Sequence, residues 1–529
     1  MSAQTVADNA KPASPANPPA ATAGAAAASA PTLTANEPLQ TAQALMDKGQ
    51  LKEAVAAFKV LVEKDPASAE AQVGFIRGLM RSRQFDEAQS AAKAATVAVP
   101  NSALVHATAG DVAFRMGDFG SAEAEYRAAL KLDSNSARGL FGMARMYQMV
   151  SMNKRAKDTL AKAHQIAPED AHITEEWLET LPYSERLEQV KKMAGDHPAD
   201  EDAERLKYLE AVSKKKPWVL AGGFKPTEIK IVPYGKEITG VNDINRDGPV
   251  SISKGYGLSV KFNDRASATL LLDTGATGVT IGRKLAEKAG AVKIANAKMG
   301  GIGDKGPVDT YLAWIDKINI GGLEFHDCIV DVSSKNNVAD EAGLIGPDVF
   351  DKYLITLDFR EQKMQLAKLP VNPNAASPDD EWQDRFIAPE MQSFTKFYNF
   401  SDHIVVPVVV NDKALGNFIV DTGADLNSLS LKFAAQVTKA SADDDYRMSG
   451  VSGKVDQVLT GKKAVLQFAK MRIESHDLPV FAIDHISSSE GTEISGFIGI
   501  RSLVQMKMTL DYRDGLINLQ VYDFKKARE

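Results

Sequence analysis

The sequence predicts a multidomain chain in which an all-α repeat solenoid is followed by two copies of one all-β domain. Three observations carry this. Residues of one type recur every 34 positions between Ala54 and Pro168. From Trp218 onward the helical spacing of apolar residues gives way to alternation broken by turns. Within that second region, "LLLDTGATGVTIG" and "FIVDTGADLNSLS" are alike, with Asp273 and Asp421 separated by 148 residues.

The chain opens on an Ala/Pro/Ser-rich stretch, residues 1–36, which has too little apolar surface to offset its ordering entropy and is expected to be disordered. It has no basic start followed by a Leu/Val-rich core, so no signal peptide is visible. The compartment stays open between the cytoplasm and, for a processed chain, an extracytoplasmic one.

Residues 37–215 contain the repeat. "GQLKEAVAAFKVLVEKDP", "RQFDEAQSAAKAATVAVP", "GDFGSAEAEYRAALKLDS" and "SMNKRAKDTLAKAHQIAP" align so that Ala54, Ala88, Ala122 and Ala156 step by 34, as do Pro66, Pro100, Ser134 and Pro168. Each unit has a turn, a helix with alanine where helices approach closely, and a breaker. This resembles the tetratricopeptide repeat, whose paired helices stack into a curved solenoid. The helical segments after Pro168 are expected to cap it. The resemblance implies a concave groove for a peptide or partner protein; the plainer alternative is an intramolecular brace.

The β region divides into residues 216–369, a Pro/Asn/Asp-rich linker at 370–397, and residues 398–529. "TEIKIVPY", "GLSVKFND", "ATLLLDTG", "AWIDKINIGG", "LEFHDCIVDV" and "HIVVPVVVND" read as strands. The copies match downstream too: Gly346 precedes Asp358 by 12 residues, and Gly499 precedes Asp511 by 12. One D-T-G arises by chance in roughly one chain in ten of this size. Two, each after an apolar strand and each followed by an apolar-apolar-Gly motif, do not.

The pattern resembles the retroviral-type (retropepsin-like) aspartic proteases, here as two halves in one chain. The resemblance covers about Gly255 to Tyr522 and implies an aspartic endopeptidase with Asp273 and Asp421 as a catalytic dyad. It implies that Thr274 and Thr422 tie the loops together through their hydroxyls, and that Gly275 and Gly423 permit the turn. Two carboxyls sharing one proton can hydrolyse an amide with no cofactor or metal, one acting as base and one as acid. "MGGIGDKG" and "MSGVSGK" lie where flaps would, giving Gly301, Ile302, Gly303, Gly450 and Val451 as candidate flap residues. In this family the downstream glycine is followed by a basic residue and then Asp or Asn. Copy one has Pro347 and Asp348 there, and copy two has Ile500, Arg501 and Ser502, so the half-sites are expected to differ.

Other classes fare worse. A net charge of −7 with no Lys/Arg block argues against nucleic acid. No stretch is apolar for the ~20 residues of a membrane helix. The single Cys328 excludes an intramolecular disulfide and reads as a buried strand residue. "GIGDKG" fits G-x-G-x-x-G, but Pro307 follows and no helix is expected there. "DINRDG", Asp243 to Gly248, starts like a calcium loop but has Lys254 at position twelve, and reads as an Asx-rich turn. His106, His164, His172, His197, His326, His403, His476 and His485 lack ligand spacing and read as structural or surface residues. The expected partners are a peptide or protein substrate and a protein on the solenoid groove. Pairing of the copies within one chain, as a monomer, is favoured over homodimers. A non-catalytic peptide-binding scaffold is the rival to the enzyme.

Overall fold

The structure is a computed structural model describing residues 37–195, 198–242, 249–335, 338, 342–377, 380–442 and 448–522. The N-terminal 1–36 segment and the Asx-rich stretch at 243–248 lie outside the described residues.

The 34-residue step appears as paired helices. Leu51–Lys64, Phe85–Ala98, Phe119–Leu132 and Asn153–Ile166 form one series, and Ala69–Arg81, Ala103–Arg115, Ala137–Met149 and Ala171–Glu179 the other. Each helix of the second series starts on a side-chain cap. Ser68, Ser102, Ser136 and Asp170 accept backbone N–H groups of the first turn, a contribution of about 1 kcal/mol apiece. Ala54, Ala88, Ala122 and Ala156 are buried where the helices close. A Cβ on Gly74 would come within 2.1 Å of Phe58 Cε1, so glycine there lets the ring seat against the next helix. Helices Tyr183–Ala194 and Asp200–Val212 extend the array. No described helix is long and apolar enough to cross a membrane.

The β region repeats one arrangement twice. In copy one, strand Ala266–Leu272 runs into the D-T-G loop, and the chain returns as Val279–Gly282. Strand Gly343–Ile345 inserts between them, parallel to the first and antiparallel to the second. In copy two, Gly496–Ile498 inserts in the same way between Ala414–Val420 and Ser428–Ser430. The ends of Ala266–Leu272 and Ala414–Val420 that lead into the D-T-G loops, Leu270–Leu272 and Phe418–Val420, are apolar and buried, which holds each loop on a covered strand end. Cys328 is buried on strand Leu323–Ser333, as its sequence context predicts, and burial pushes its thiol up.

The copies pair within this chain. Strand Tyr353–Asp358 of copy one runs antiparallel to Met506–Asp511 of copy two, in a six-stranded sheet. Thr356 lies opposite Thr509 near the centre of that pairing, their hydroxyl oxygens 3.1 Å apart. One apolar core runs through both copies. The stretch read as a linker is tied to this sheet. Arg385 Nε donates to Asp514 O at 2.6 Å, and Thr395–Lys396 pairs with Leu516–Val521.

The solenoid is docked on both copies, which its repeat pattern did not announce. Phe114, Phe119, Met143, Met146 and Met149 share one buried cluster with Phe400, Val405, Ile419, Phe481 and Phe497 of copy two. Polar bonds frame it: Thr492 Oγ1 donates to Phe114 O at 2.7 Å, and Asn417 Nδ2 to Gly117 O at 3.1 Å. Lys432 lies 3.5 Å from Asp86 and 3.8 Å from Glu493. At the other end Leu178, Val190, Leu209 and Val212 pack with Trp314 and Ile329 of copy one. The terminal helices therefore cap the solenoid by covering their apolar face with the neighbouring sheet.

Phe119 sits within ring-contact distance of Phe114, Tyr398 and Phe400, with centroids 4.9 to 5.7 Å apart. Phe119→Ala is expected to cost about 3 kcal/mol. Hydrogen exchange should speed up both in the helix Phe119–Leu132 and in the strand Tyr398–Phe400. A loss confined to the helix would show that the solenoid does not brace the β region.

Candidate active site

The two D-T-G loops meet. Each aspartate is placed by its strand: Asp273 N donates to Ile345 O at 3.0 Å, and Asp421 N to Ile498 O at 2.9 Å. The threonines then exchange bonds across the junction. Thr274 Oγ1 donates to Val420 O at 2.7 Å and accepts from Thr422 N at 2.9 Å. Thr422 Oγ1 donates to Leu272 O at 2.8 Å and accepts from Thr274 N at 3.0 Å. Both threonines are fully buried, so these bonds are not exchanged with water.

This grip leaves the two aspartyl side chains in hydrogen-bonding contact. It also shows why glycine follows. Neither Gly275 nor Gly423 has a positive φ, so the turn does not require them. A Cβ on Gly275 would lie 2.6 Å from Asp421 Cγ, and one on Gly423 2.5 Å from Asp273 Cγ. Each glycine makes room for the opposite carboxyl.

The half-sites are chemically unequal. Asp421 Oδ1 accepts from Gly423 N at 2.8 Å and Ala424 N at 2.9 Å, whereas Asp273 Oδ1 accepts from Gly275 N alone, at 2.8 Å. Burial raises both carboxyls above the ordinary range. The neighbouring Asp421 charge lifts Asp273 further, and a hydrogen bond from Asp273 offsets part of the rise at Asp421. More backbone donors face Asp421 than Asp273, so of the two carboxyls Asp421 is the better placed to carry negative charge.

The sequence departures after Gly346 and Gly499 have structural substitutes. In copy one Asp348 Oδ2 accepts from Gly278 N at 2.8 Å, locking the return of the loop. In copy two Asn427 does this work. Its Oδ1 accepts from Gly499 N at 2.9 Å, and its Nδ2 donates to Ser502 and Ser475, each at 2.8 Å. Arg501 lies 3.6 Å from Asp425.

Both glycine-rich segments are hairpin tips. The first joins strands Val292–Met299 and Val308–Ile320, and the second joins Ser449–Gly450 to Gly453–Lys454. A strand rather than a helix follows "GIGDKG". The tips bond to each other: Ser452 N donates to Ile302 O at 3.0 Å, Lys305 N to Ser452 O at 3.2 Å, and Asp304 N to Lys454 O at 3.0 Å. They are interleaved closely enough that a Cβ on Gly301 would meet Val451 Cβ at 2.8 Å, and one on Gly450 would meet Ile302 O at 2.7 Å. Gly303, at φ 133°, faces Ser452 backbone within 2.4 Å of the position its Cβ would take. Val451 packs against Leu271, Val338 and Leu344 of copy one. Ile302 packs against the cluster of copy two that includes Val405, Ile419 and Phe481. Each tip thus rests on the apolar wall of the opposite copy.

Two histidines read from the sequence as structural or surface residues are tied to this centre. His485 Nε2 donates to Gly301 O at 3.0 Å, anchoring the first tip to copy two. His403 reaches Gly275 O at 3.1 Å through Nε2 and Glu490 Oε1 at 3.1 Å through Nδ1. A comparison of the copies held the signal: His403 precedes Asp421 by 18 residues, and the position 18 before Asp273 is Gly255.

Residues 258–349 and 406–501 match the family described as aspartyl protease. Residues 45–110 and 107–147 match two families described as tetratricopeptide repeat. Among solved structures, the aspartic proteinase from Irpex lacteus is 13% identical, the match covering 52% of this chain and 96% of that one at a TM-score of 0.33. A thermophilic tetratricopeptide protein of Thermus thermophilus is 17% identical, over 33% of this chain and 98% of that one, at a TM-score of 0.28. No curated protein matches the chain significantly. The chain carries tetratricopeptide repeats, an architecture of protein interaction, ahead of two retropepsin-like aspartyl protease domains in tandem.

Thr274→Val removes one hydroxyl and orphans two buried groups, Thr422 N–H and Val420 C=O. The expected loss is about 2–5 kcal/mol, read as a lowered urea midpoint. Thr356→Val, at the single Thr356–Thr509 contact on the outer sheet, should cost under about 1 kcal/mol. Equal losses at the two sites would refute a central role for the grip.

The aspartates also predict a pH signature. Their folded-state affinity for protons is raised, so the associated stability is full below the ordinary carboxylate value and is lost as pH rises through the raised one. Asp273→Asn cannot ionise. Its melting temperature relative to the parent should therefore climb as pH rises above about 4, the ordinary carboxylate value, and a flat difference would contradict the buried pair.

Proposed function

We propose that this chain is an aspartic endopeptidase in which Asp273 and Asp421 activate a water against a peptide carbonyl. What supports this most is a single feature: two buried carboxyls in contact, one with two backbone N–H donors and the other with one. Asp421, ionised, takes a proton from the water. Asp273, protonated, gives its proton to the carbonyl oxygen as the tetrahedral centre forms. Collapse of that centre transfers a proton to the leaving amine, and the pair returns to its one-proton state. The matched aspartyl protease segments support the same chemistry.

The substrate in this reading is an extended peptide. It separates the two tips and takes over the backbone bonds they make with each other, a form of strand addition. Its side chains on either side of the scissile bond replace Val451 and Ile302 against apolar walls, so aliphatic residues fit there. The solenoid serves a partner or substrate protein, while its docked edge braces copy two.

The test is digestion of a mixed peptide library between about pH 3 and 7 with full-length protein. Asp273→Asn and Asp421→Asn should each lower kcat/KM by about a hundred- to ten-thousandfold, and mixing the two variants should not restore it. Both limbs of the pH profile should lie above the ordinary carboxylate value, because both groups are shifted upward. Peptides bound intact by the parent protein would instead favour a clamp without turnover.

A further inference from the structure

His403 is an ionisable base in contact with a loop of the dyad, and the peptidase reading leaves its chemistry unused. It starts the strand His403–Val410 of copy two, yet its ring reaches across to copy one. Both of its partners are acceptors. A carbonyl oxygen such as Gly275 O can only accept, so Nε2 must carry a hydrogen. Glu490 Oε1, when ionised, can only accept as well, so Nδ1 must carry the other. A ring that donates from both nitrogens is an imidazolium. The alternative is a neutral ring facing a protonated Glu490. In that alternative Glu490 Oε1 would donate to Nδ1, so the two forms differ by the position of one proton between the same two atoms, which a titration of the ring separates.

We propose that His403 is a positioning residue, held as an imidazolium between Glu490 and the Gly275 carbonyl, that clamps the copy-one loop from copy two and keeps one dyad carboxylate ionised. This rests on the peptidase reading for its catalytic meaning. The charged groups around the ring are Glu490 on one side, Asp421 and Asp273 on the other, and the adjacent Asp402. Arg145 of the solenoid approaches the same turn, with Nη2 3.4 Å from where a Cβ of Gly491 would lie. Burial works against the ring's charge, but Glu490 and the two dyad aspartates outweigh it and hold the imidazole above its ordinary value. The stabilisation from this pair is therefore complete below about pH 6.5, the unperturbed imidazole value, and is lost as pH rises through the raised one. Copy one has Gly255 in the matching position, so only one half contributes such a cation.

The experiment is a histidine titration of full-length protein labelled with nitrogen-15 in its imidazoles. The signal of His403 is identified as the one missing in His403→Gln. The expected midpoint lies above about 6.5, and Glu490→Gln, nearly isosteric, should weaken proton binding at His403 at least tenfold. Asp421→Asn, which removes the carboxyl assigned the charge, should weaken it in the same direction by a smaller factor, and gives a second readout should Glu490→Gln fail to fold. An ordinary midpoint that neither substitution moves would overturn the assignment. Where peptide cleavage is measurable, His403→Gln should move the acid limb of kcat/KM to higher pH, since losing a nearby cation makes the carboxylate harder to ionise. A uniformly lower rate with an unmoved limb would reduce His403 to a packing residue. Absence of all cleavage would sink the peptidase reading and leave the titration, which needs no turnover, to decide on the ion pair.

Discussion

Everything at the centre of this molecule depends on four hydrogen bonds between Thr274 and Thr422 and the backbone of the opposite loop. They are buried and reciprocal, so neither loop can satisfy its own polar groups alone. Buried, unpaired amides and carbonyls cost more than a made bond returns, and this makes the junction close to all-or-none. Once it is made, each aspartyl side chain lies against the glycine of the opposite loop, in space that a side chain there would fill. The carboxyls are forced together by the fold, against their mutual repulsion. A shared proton is the way two such groups relieve that repulsion. The chemistry proposed for the site is therefore a consequence of how the loops satisfy their hydrogen bonds.

The duplication in one chain changes what the rest of the structure must do. The antiparallel pairing of Tyr353–Asp358 with Met506–Asp511 brings the halves together with no concentration term. The solenoid adds a further constraint. Its central helices cover an apolar face of copy two, and its last helices cover a face of copy one. The cluster it shares with copy two also receives Ile302 from the first hairpin tip. One side of the wall that a tip or a peptide side chain would touch is thus packed against repeat helices.

How much of this was legible in the chain depended on whether the signal was local. The repeat was legible because its period sets helix starts, caps and close contacts together; Ser68, Ser102, Ser136 and Asp170 follow the same step as the alanines used to find it. The two strands ending in D-T-G were legible because apolar runs and their downstream partners recur in order. Contacts between regions were not. Phe114 and Phe119 read as ordinary helix residues, and nothing local says that their partners are Phe400 and Tyr398. The stretch at 370–397 has the composition of a linker, yet Arg385 and Phe386 bond to Asp514, more than a hundred residues away. Glycine in D-T-G was read as a turn former, and its actual role, making room for a carboxyl from the other copy, exists only once the copies meet.

His403 shows where a repeat comparison reaches further than a motif search. No spacing rule marks a lone histidine, but an unlike residue at one place in two like copies does. A homodimer of identical halves must set the same residue on both sides of its dyad, so a cation placed beside one loop is placed beside both. A fused pair is free of that symmetry. Here copy two supplies His403 with Glu490 behind it and a second N–H to its aspartate, while copy one has Gly255 and a single N–H. The second N–H favours charge on Asp421, while His403 favours an ionised carboxylate without choosing between the two. A symmetric site must break its symmetry anew each time a proton arrives. In this chain the sequence has already broken it, so in the proposed mechanism acid and base are assigned before a substrate enters.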